Sequence, residues 1–558
     1  MSWKIRKHHE MLRAAEEGRE GNVWSRDLNV GMVYPNLYYF GMSNLGFQTL
    51  YKIFHEMNAV NCERFFLPDD AQILEYRQTG STLLSIDSDT PASEFDLMAF
   101  SISYQNDVLN LPPLLELMRI PLLAKDRTDS DPIVLVGGPA MTINPLPTAD
   151  FVDAAVIGEG EEIALQIAEI FKTHSSRDHR LEELSKLTGV FVPSVHLAEG
   201  KSIWRLRLDQ LEPPLSHSKI LTPHTEFGDM YLIEVQRGCQ WACRFCAAGY
   251  IYRYPRYSHV EMLKARIDEG FVYRKKMGLL AGDLLGYGGL IELLRHIDEK
   301  GGSFSPSSVR LNAFTPEIIH YLKKSGNRTI AIAPEAGSER LRRQLNKTFT
   351  DEEVIQAAVM LAEGGIVNIK LYIMIGLPDE NDEDIEALCR LTLATREALL
   401  VAAKQSGKIP RLTLSLSPFT PKPATPFERE PYEGLEPLRE KFRKIKSRLL
   451  PVGNIVIAGE SDLDAYVETL LSRGDQKVGE FILKQHQNGQ KLRKTLKQLS
   501  FDPDYYITRA IPNEEKLAWS FIDHGTKDGY LIKERERAAK SRIIPPCEPT
   551  SCHICGIC

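Results

Sequence analysis

Between Tyr231 and Val456 the chain repeats one pattern six times: a short strand-like run with an apolar and a polar face, then an amphipathic stretch of helical period. The runs are placed near 231–236, 278–282, 308–313, 329–334, 367–375 and 411–417. In the fifth, Ile369, Leu371, Ile373 and Ile375 alternate with Asn368, Lys370, Tyr372 and Met374; in the sixth, Leu412, Leu414 and Leu416 alternate with Arg411, Thr413, Ser415 and Ser417. The third sets Val309, Leu311 and Ala313 against Ser308, Arg310 and Asn312, and the first puts Glu234 opposite Ile233 and Val235. A parallel sheet buried between helix layers is apolar on both faces. Here the helices must cover the apolar face, which leaves the polar face to line a lumen. A closed eight-stranded barrel fills its interior with branched apolar side chains. The pattern therefore predicts a partial (β/α)6 barrel around a polar, ligand-filled space, with Glu234, Asn312, Lys370, Tyr372 and Ser415 as candidates for its wall. A half-solvated antiparallel sheet is the plainer alternative, and the intervening helices count against it.

Upstream, strands at Leu28–Tyr34, Leu97–Ser101, Ile133–Val136 and Asp153–Ile157, with a helical pattern from Ser43 to Met57, predict an open Rossmann-like parallel sheet. Two of these strands run into glycine-bearing turns, Gly137-Gly138-Pro139 and Gly158-Glu159-Gly160-Glu161. A chain of 558 residues exceeds what one core organises. The expected division is a Rossmann-like layer over 1–200, a linker over 201–230, the barrel over 231–457, a mostly helical region over 458–540 and a cysteine-rich tail over 541–558. In the helical region, amphipathic segments are expected near 461–473 and 476–499. Lys491, Arg493, Lys494 and Lys497 form a basic face there, read as solvated helix surface in preference to an RNA contact. The net charge of −7 gives no global basic field for nucleic acid or anionic lipid. No apolar run approaches the roughly 20 residues that cross a bilayer, and the first residues lack a signal-peptide core. The expected location is the cytoplasm, with no membrane partner.

The nine cysteines are unevenly placed. Cys62 and Cys389 stand alone and read as small buried hydrophobes. The others form a triplet, Cys239, Cys243 and Cys246, and a terminal group, Cys547, Cys552, Cys555 and Cys558. A disulfide framework would spread them more widely, so the clusters read as metal or iron–sulfur ligands. The triplet has the spacing C-x3-C-x2-C directly after the first barrel strand. Three thiolates on one loop can hold three irons of a 4Fe–4S cluster, whereas a pure electron carrier takes a fourth cysteine. An iron without a protein ligand is open to another molecule, as in catalytic zinc sites. A structural zinc with a distant fourth ligand is the rival. In the tail, C-x2-C-x2-C resembles part of a ferredoxin run and favours a second 4Fe–4S cluster, with tetrahedral zinc as the alternative and His553 a bystander.

With Phe245 just before its last cysteine, the loop Arg237-Gly238-Cys239-Gln240-Trp241-Ala242-Cys243-Arg244-Phe245-Cys246 resembles the signature of the radical S-adenosylmethionine (radical SAM) superfamily. The resemblance implies that S-adenosylmethionine chelates the open iron through its amino and carboxylate groups. Reductive carbon–sulfur cleavage then gives a 5′-deoxyadenosyl radical that abstracts hydrogen from substrate. Ala281-Gly282-Asp283 resembles the motif that meets the methionine amino group, with Asp283 in the acidic position. Glu335-Ala336-Gly337-Ser338 resembles the segment that meets the ribose and carboxylate, and Arg340 and Arg343 follow on the adjoining helix. Gly376-Leu377-Pro378-Asp379-Glu380 resembles the stretch beside adenine. Helix capping by Ser338 and a plain strand-to-helix turn at Gly376 are the structural alternatives. Gly137, Gly138 and Gly158 resemble the N-terminal domain of cobalamin-type members, whose strand ends face the corrin. The cobalt-ligating D-x-H-x-x-G loop is absent, which leaves cobalamin open against a scaffold that shapes the substrate entrance. Nearly end to end, the chain resembles a poorly characterised radical SAM family.

The implied activity is radical modification of an unidentified substrate, methylation included, with a reductase or a flavodoxin or ferredoxin as electron donor. The protein would bind, orient and shield while the cofactor carries the chemistry. Two other readings stand beside it. One is methylthiolation of a tRNA or ribosomal component, which requires salt-sensitive RNA binding. The other is a non-catalytic iron–sulfur carrier or scaffold.

Overall fold

The computed structural model describes residues 2–557 apart from 22, 23, 25, 26, 212–215, 308, 407, 408 and 550. The expectations for Ser308 and Cys558 lie outside the described residues. The N-terminal layer is a six-stranded sheet of β1 (Leu28–Tyr34), β2 (Val60–Phe66), β3 (Leu97–Ser101), β4 (Ile133–Gly137), β5 (Ala154–Val156) and β6 (Val190–Phe191). Its order is β2-β1-β3-β4-β5-β6, parallel throughout except the last pair. β1 and β3 are buried at every position, as a sheet covered on both faces requires. The order reverses between β1 and β3, and in such open sheets ligands bind beyond the carboxyl ends of the strands at that switch point.

β2 was not legible in the sequence because Asn61, Glu63 and Arg64 make it read as polar. Its charge is satisfied internally. The fully buried Arg64 guanidinium donates to Glu16 at 2.8 and 2.9 Å and to Asp87 at 2.6 and 3.2 Å. Burial pushes the Asp87 carboxyl up, but the Arg64 charge and its hydrogen bonds outweigh this and hold it below the usual carboxylate range.

Where the partial barrel is expected, the structure has two parallel sheets. One is β7 (Met230–Glu234), β8 (Lys276–Leu280) and β9 (Ser303–Pro306), with β8 in the middle. The other is β10 (Thr329–Glu335), β11 (Asn368–Ile375), β12 (Arg411–Pro418) and β13 (Ile455–Gly459), in chain order. Burial alternates along β10 and β12: Ile330, Ile332, Leu412, Leu414 and Leu416 are covered, and Ala331, Ala333, Thr413 and Ser415 between them are half-exposed. Glu234, Lys370 and Ser415 are half-buried and Tyr372 is exposed.

Four expectations need correction. The third strand lies upstream, at β9. Leu311–Ala313 is a single 3-10 turn that buries Leu311 and exposes Asn312, so the apolar alternation there marks a turn. A further strand, β13, extends the six. The predicted helix over 476–499 is broken into Gly479–Gln487 and Leu492–Leu496, because Gly489 and Gln490 take positive φ angles of 60 and 62°. Its four basic residues therefore do not share one long helix. The segment 201–230 is not a free linker: Ile203–Trp204 pairs with Ile522–Asp523, and Leu206 bridges to Gly158. No helix among the described residues is long and apolar enough to cross a membrane.

Removing Arg64 takes the closest cation from two buried carboxylates and leaves them only Arg19, 3.5 Å from Asp87 and 3.8 Å from Glu16; breaking a buried pair of this class costs about 3–5 kcal/mol. Arg64→Ala is expected to lower the denaturant midpoint by a corresponding amount. A change under about 1 kcal/mol would mean that Glu16 and Asp87 are satisfied without it.

Candidate active site

The cysteine triplet occupies a loop that leaves the barrel just beyond β7. Gln236–Arg237 pairs antiparallel with Arg256–Tyr257, and Gly238 then turns with φ of +77° against Tyr252, where a Cβ would meet the Tyr252 carbonyl oxygen at 2.4 Å. Gly282 packs against the same turn, and a Cβ there would lie 2.6 Å from Gly238 O and 3.1 Å from Cys239 Cβ. Burial, reinforced by the neighbouring Cys243, pushes the Cys239 thiol up to about 12 and that of Cys246 up to about 11. Burial also raises Cys243, partly opposed by the positive charges of Lys347 and Arg310. Thiols bind metal as thiolates, so loading this loop must release protons.

Asp283 is buried and fixes the loop. Its Oδ2 accepts from Gln240 Nε2 at 2.8 Å and from Trp241 Nε1 at 2.6 Å. Its Oδ1 is buried without a partner, an unmet acceptor that calls for a donor from a ligand. Glu335 ends β10 with φ of +69° and accepts from Lys347 Nζ at 2.8 Å; that ammonium also donates to Ala333 O at 2.8 Å. Arg310 lies 3.6 Å over the Trp241 ring and 4.5 Å from that of Phe349. Sequence reasoning missed Lys347, which carries no local motif, and placed Arg310 on the face of a strand that does not form.

The other predicted residues are committed elsewhere. Ser338 caps its helix by accepting from Leu341 N and donates to Asp384 Oδ1 at 2.5 Å. The exposed Arg340 is paired with Asp384 and donates to Asp379 O. Arg343 is exposed, and its carbonyl accepts from Arg244. The cations beside the cysteine loop are thus Lys347 and Arg310, not Arg340 and Arg343. Gly376, with φ of +84°, donates its amide to Glu380 Oε2 at 2.7 Å, and Lys441 pairs with the same oxygen at 2.9 Å. Burial still pushes the Glu380 carboxyl up to about 7. Gly138 and Gly158 have structural reasons of their own: a Cβ would meet Ile102 O at 2.6 Å or Leu206 O at 2.2 Å.

Two cavities flank the loop. The first, of about 450 Å³, lies between the N-terminal sheet and the barrel. Met32 of β1, Phe100 of β3, Gly137, Gly138 and Gly158 meet Cys239 and Gly282 across it. Its polar edge is a buried charge cluster. Arg237 donates to Glu234 at 2.8 and 2.9 Å, to Glu161 at 2.6 Å and to Glu159 at 3.2 Å; Arg256 donates to Glu159 at 2.6 and 2.9 Å. The second cavity, of about 520 Å³, joins Phe245 and Cys246 to Met374, Ser417, Pro418 and Glu460 at the strand ends.

The C-terminal segment folds back onto the loop. Arg244 and Glu534, both fully buried side chains, form an ion pair at 3.3 Å, and Arg244 also donates to Arg542 O at 2.5 Å. Asn346 exchanges hydrogen bonds with the backbone of Ile544, and the Cys547 amide donates to Gln240 O at 2.7 Å. Cys547 and Cys555 are buried and Cys552 is half-buried. Among the described residues, no three His, Cys, Asp or Glu side chains converge tightly enough to hold a single metal ion.

Two family models match. One, for the N-terminal part of radical SAM proteins, covers residues 46–193; the other, for the radical SAM superfamily, covers 233–392. Together they span more than half of the chain. The chain belongs to the radical SAM superfamily. It is 28% identical over 461 residues, 81% of its length and 90% of the other's, to an uncharacterised protein of Methanocaldococcus jannaschii. A second uncharacterised protein of that organism is 22% identical over 47% of this chain and 60% of its own. Similar solved structures include the radical S-adenosylmethionine methyltransferase TsrM from Kitasatospora setae (TM-score 0.44, 14% identity, 69% of this chain and 72% of that one). SuiB from Streptococcus suis bound to S-adenosylmethionine is another (TM-score 0.29, 15% identity, 54% and 63%).

Membership of the superfamily implies a 4Fe–4S cluster and S-adenosylmethionine. The residues present suit both: three thiol donors on one loop, a buried carboxylate oxygen that lacks a donor, and two cations beside Cys243. Gly282→Ala is expected to push Gly238 and Cys239 out of register. The variant should keep its fold by circular dichroism yet bind markedly less iron after anaerobic reconstitution; wild-type iron content would show that the loop tolerates the shift.

Proposed function

We propose that this protein is a radical SAM enzyme whose cluster is held by Cys239, Cys243 and Cys246, with the radical acting on a substrate in the interdomain cavity. The observation that carries this reading is the loop's place between two chambers, Cys239 in the wall of one and Cys246 in the wall of the other. The second chamber, walled by Phe245, Cys246, Met374, Ser417 and Pro418, suits the nucleoside of S-adenosylmethionine. The first suits the molecule to be modified, because it is largely apolar and is closed by the N-terminal layer.

A 4Fe–4S cluster held by Cys239, Cys243 and Cys246 would supply the electron for reductive cleavage of S-adenosylmethionine. The chain's own residues bind and orient. Asp283 Oδ1 takes a proton donor from the methionine amino group, while Trp241 and Gln240 hold the other carboxylate oxygen and so aim it. Lys347 places positive charge beside Cys243, held by Glu335 and Ala333 O. The Arg237 and Arg256 cluster ties the N-terminal layer to the cysteine segment at the edge of the substrate chamber.

Cobalamin is a second reading, favoured by the cavity's position at the β1/β3 switch of a doubly wound sheet. It would make the reaction a methylation, and the bound corrin would rest without a histidine from the cavity lining. Cobalt content and the optical spectrum of the purified protein decide it. For the tail, Cys547, Cys552 and Cys555, with Cys558 next in sequence, form a second cluster or a zinc site fed by a flavodoxin- or ferredoxin-type donor in the first case. In the Cys552→Ala, Cys555→Ala double variant, loss of iron and sulfide supports the cluster, and loss of one zinc supports the rival.

Reconstituted, dithionite-reduced protein is expected to form 5′-deoxyadenosine from S-adenosylmethionine, and the Cys239→Ala, Cys243→Ala, Cys246→Ala variant to form none. A fully loaded, reduced protein that makes no 5′-deoxyadenosine would overturn the enzymatic reading. Asp283→Asn, which keeps the shape and removes the charge, should weaken S-adenosylmethionine binding roughly tenfold, the value of one charge-assisted hydrogen bond.

A further inference from the structure

The first cavity has an arm that the cysteine chemistry does not use. Met32, Ala99 and Leu135 stand side by side in the register of β1, β3 and β4, each two residues before its strand ends. All three line the cavity, which therefore runs inward from the strand ends by about 7 Å, the rise of two residues. It is lined as well by Leu50 and Phe54 of the helix Leu45–His55 and by Ile167 of the helix Ile163–Thr173. These six side chains pack as one apolar cluster. None of them can pair a buried polar group, so the arm favours hydrocarbon. Glycine keeps the arm open. Gly46 and Gly137 also line the cavity, and neither has a positive φ. A Cβ on Gly46 would approach only Asn44 Oδ1, at 3.4 Å, and one on Gly137 would come no nearer than 3.6 Å, to Val156. Packing does not demand these two glycines as it demands Gly138 and Gly158, whose Cβ atoms would strike backbone. A side chain at either would instead take up space that the cavity now holds.

The charge at the cavity's edge selects the other end of a ligand. Among the described lining residues the acidic and basic side chains are Glu159, Glu161, Glu234 and Arg237, with Arg256 paired to Glu159 behind them. No lysine or histidine lines the cavity among those residues. Three carboxyl groups outnumber two guanidinium groups, and both guanidinium groups are already bonded to them. An anionic head would find no cation left to pair with and would meet like charge. An alcohol, an amide or an ammonium group finds acceptors there. We propose that this cavity takes a ligand whose hydrocarbon portion is seated between the N-terminal sheet and its two helices and whose neutral or cationic head faces the carboxyl groups around Arg237. That this ligand is the molecule the radical modifies rests on the assignment of Cys239, Cys243 and Cys246 as the cluster's ligands, since Cys239 and Gly282 wall the same cavity. A corrinoid's nucleotide tail is the rival occupant. Its phosphate would enter a space lined by hydrocarbon and edged by carboxyl groups.

The test is binding of N-phenylnaphthylamine, an uncharged dye whose emission rises in apolar surroundings, to the reconstituted full-length protein. Wild type, Gly46→Leu and Gly137→Val are compared at matched iron and sulfide content. Wild type is expected to bind the dye, and each variant to bind it roughly tenfold more weakly. Melting temperatures should hold, since leucine suits a helix better than glycine and valine suits a strand. Dodecanol, a chain, or naphthol, a ring, should displace the dye, and the better competitor names the kind of hydrocarbon. Dodecylamine should match dodecanol, and dodecanoate should compete roughly tenfold less well. Wild-type dye affinity in both variants, or failure of both dodecanol and naphthol to compete, overturns the proposal. Equal competition by dodecanoate overturns its head-group half. Displacement of the dye by equimolar hydroxocobalamin, with that binding lost in the same variants, overturns it in favour of the corrinoid. If Gly137→Val fails to fold, Gly46→Leu decides alone. Dye binding that survives in a loaded, reduced protein making no 5′-deoxyadenosine keeps the ligand class and overturns the radical reading instead, so the two failures are separable.

Discussion

The architecture depends on one buried interaction, the contact of Arg237 with carboxylates from two layers. Arg237 is the second residue before Cys239 and is bonded to Glu234 of its own barrel segment and to Glu159 and Glu161 of the N-terminal layer. Arg256 adds a bidentate hold on Glu159. Three carboxylates thus meet two guanidinium groups, Glu159 and Arg256 buried and Glu161, Glu234 and Arg237 at the cavity edge. Burial pushes Glu159 up, yet its arginine partners keep it below the usual carboxylate range; Glu161, buried next to another carboxylate, is raised. Buried charges of this kind are costly when unpaired, so the N-terminal layer cannot shift on the barrel without exposing the set. The cavity between them owes its shape to that restraint.

The cysteine loop is then held from three further sides. Asp283 accepts from Gln240 and Trp241, Arg310 stacks on Trp241 and on Phe349, and the C-terminal segment clamps Arg244 through Glu534 and Arg542 O. Residues between the cysteines, with no ligand chemistry of their own, thereby position all three thiols. A site that must keep reactive intermediates in place needs such pre-set geometry, since a rigid supporting shell decides how accurately ligands are presented. Three atoms around the loop are buried without a partner: the acceptor Asp283 Oδ1 and the donors Arg244 Nε and Arg310 Nε.

Much of this was legible in sequence and some of it was not. Period-two alternation located β10, β11 and β12 to within a residue or two, because each strand faces helices on one side and a polar space on the other. It failed at Val309–Ala313, where a turn buries Leu311 and mimics a strand. It also failed at β2, whose charges are neutralised by Glu16 and Asp87, residues distant in the chain. Local motifs identified the cysteine loop and Asp283 as candidates but misdirected attention to Arg340, whose charge is taken by Asp384.

By itself the sequence determined what local spacing can specify: the cysteine triplet, the strands β10, β11 and β12, the glycine turns and membership of the superfamily. Only the tertiary structure decided which cations face the cysteines, which glycines are demanded by packing, and that the tail returns to the loop. The reason is physical. A motif's spacing fixes which groups can converge on one loop, whereas the partners of Arg237, Arg244 and Arg310 come from residues up to hundreds of positions away. Their pairing is chosen by burial, because in the interior each charge must find its complement wherever the fold brings one.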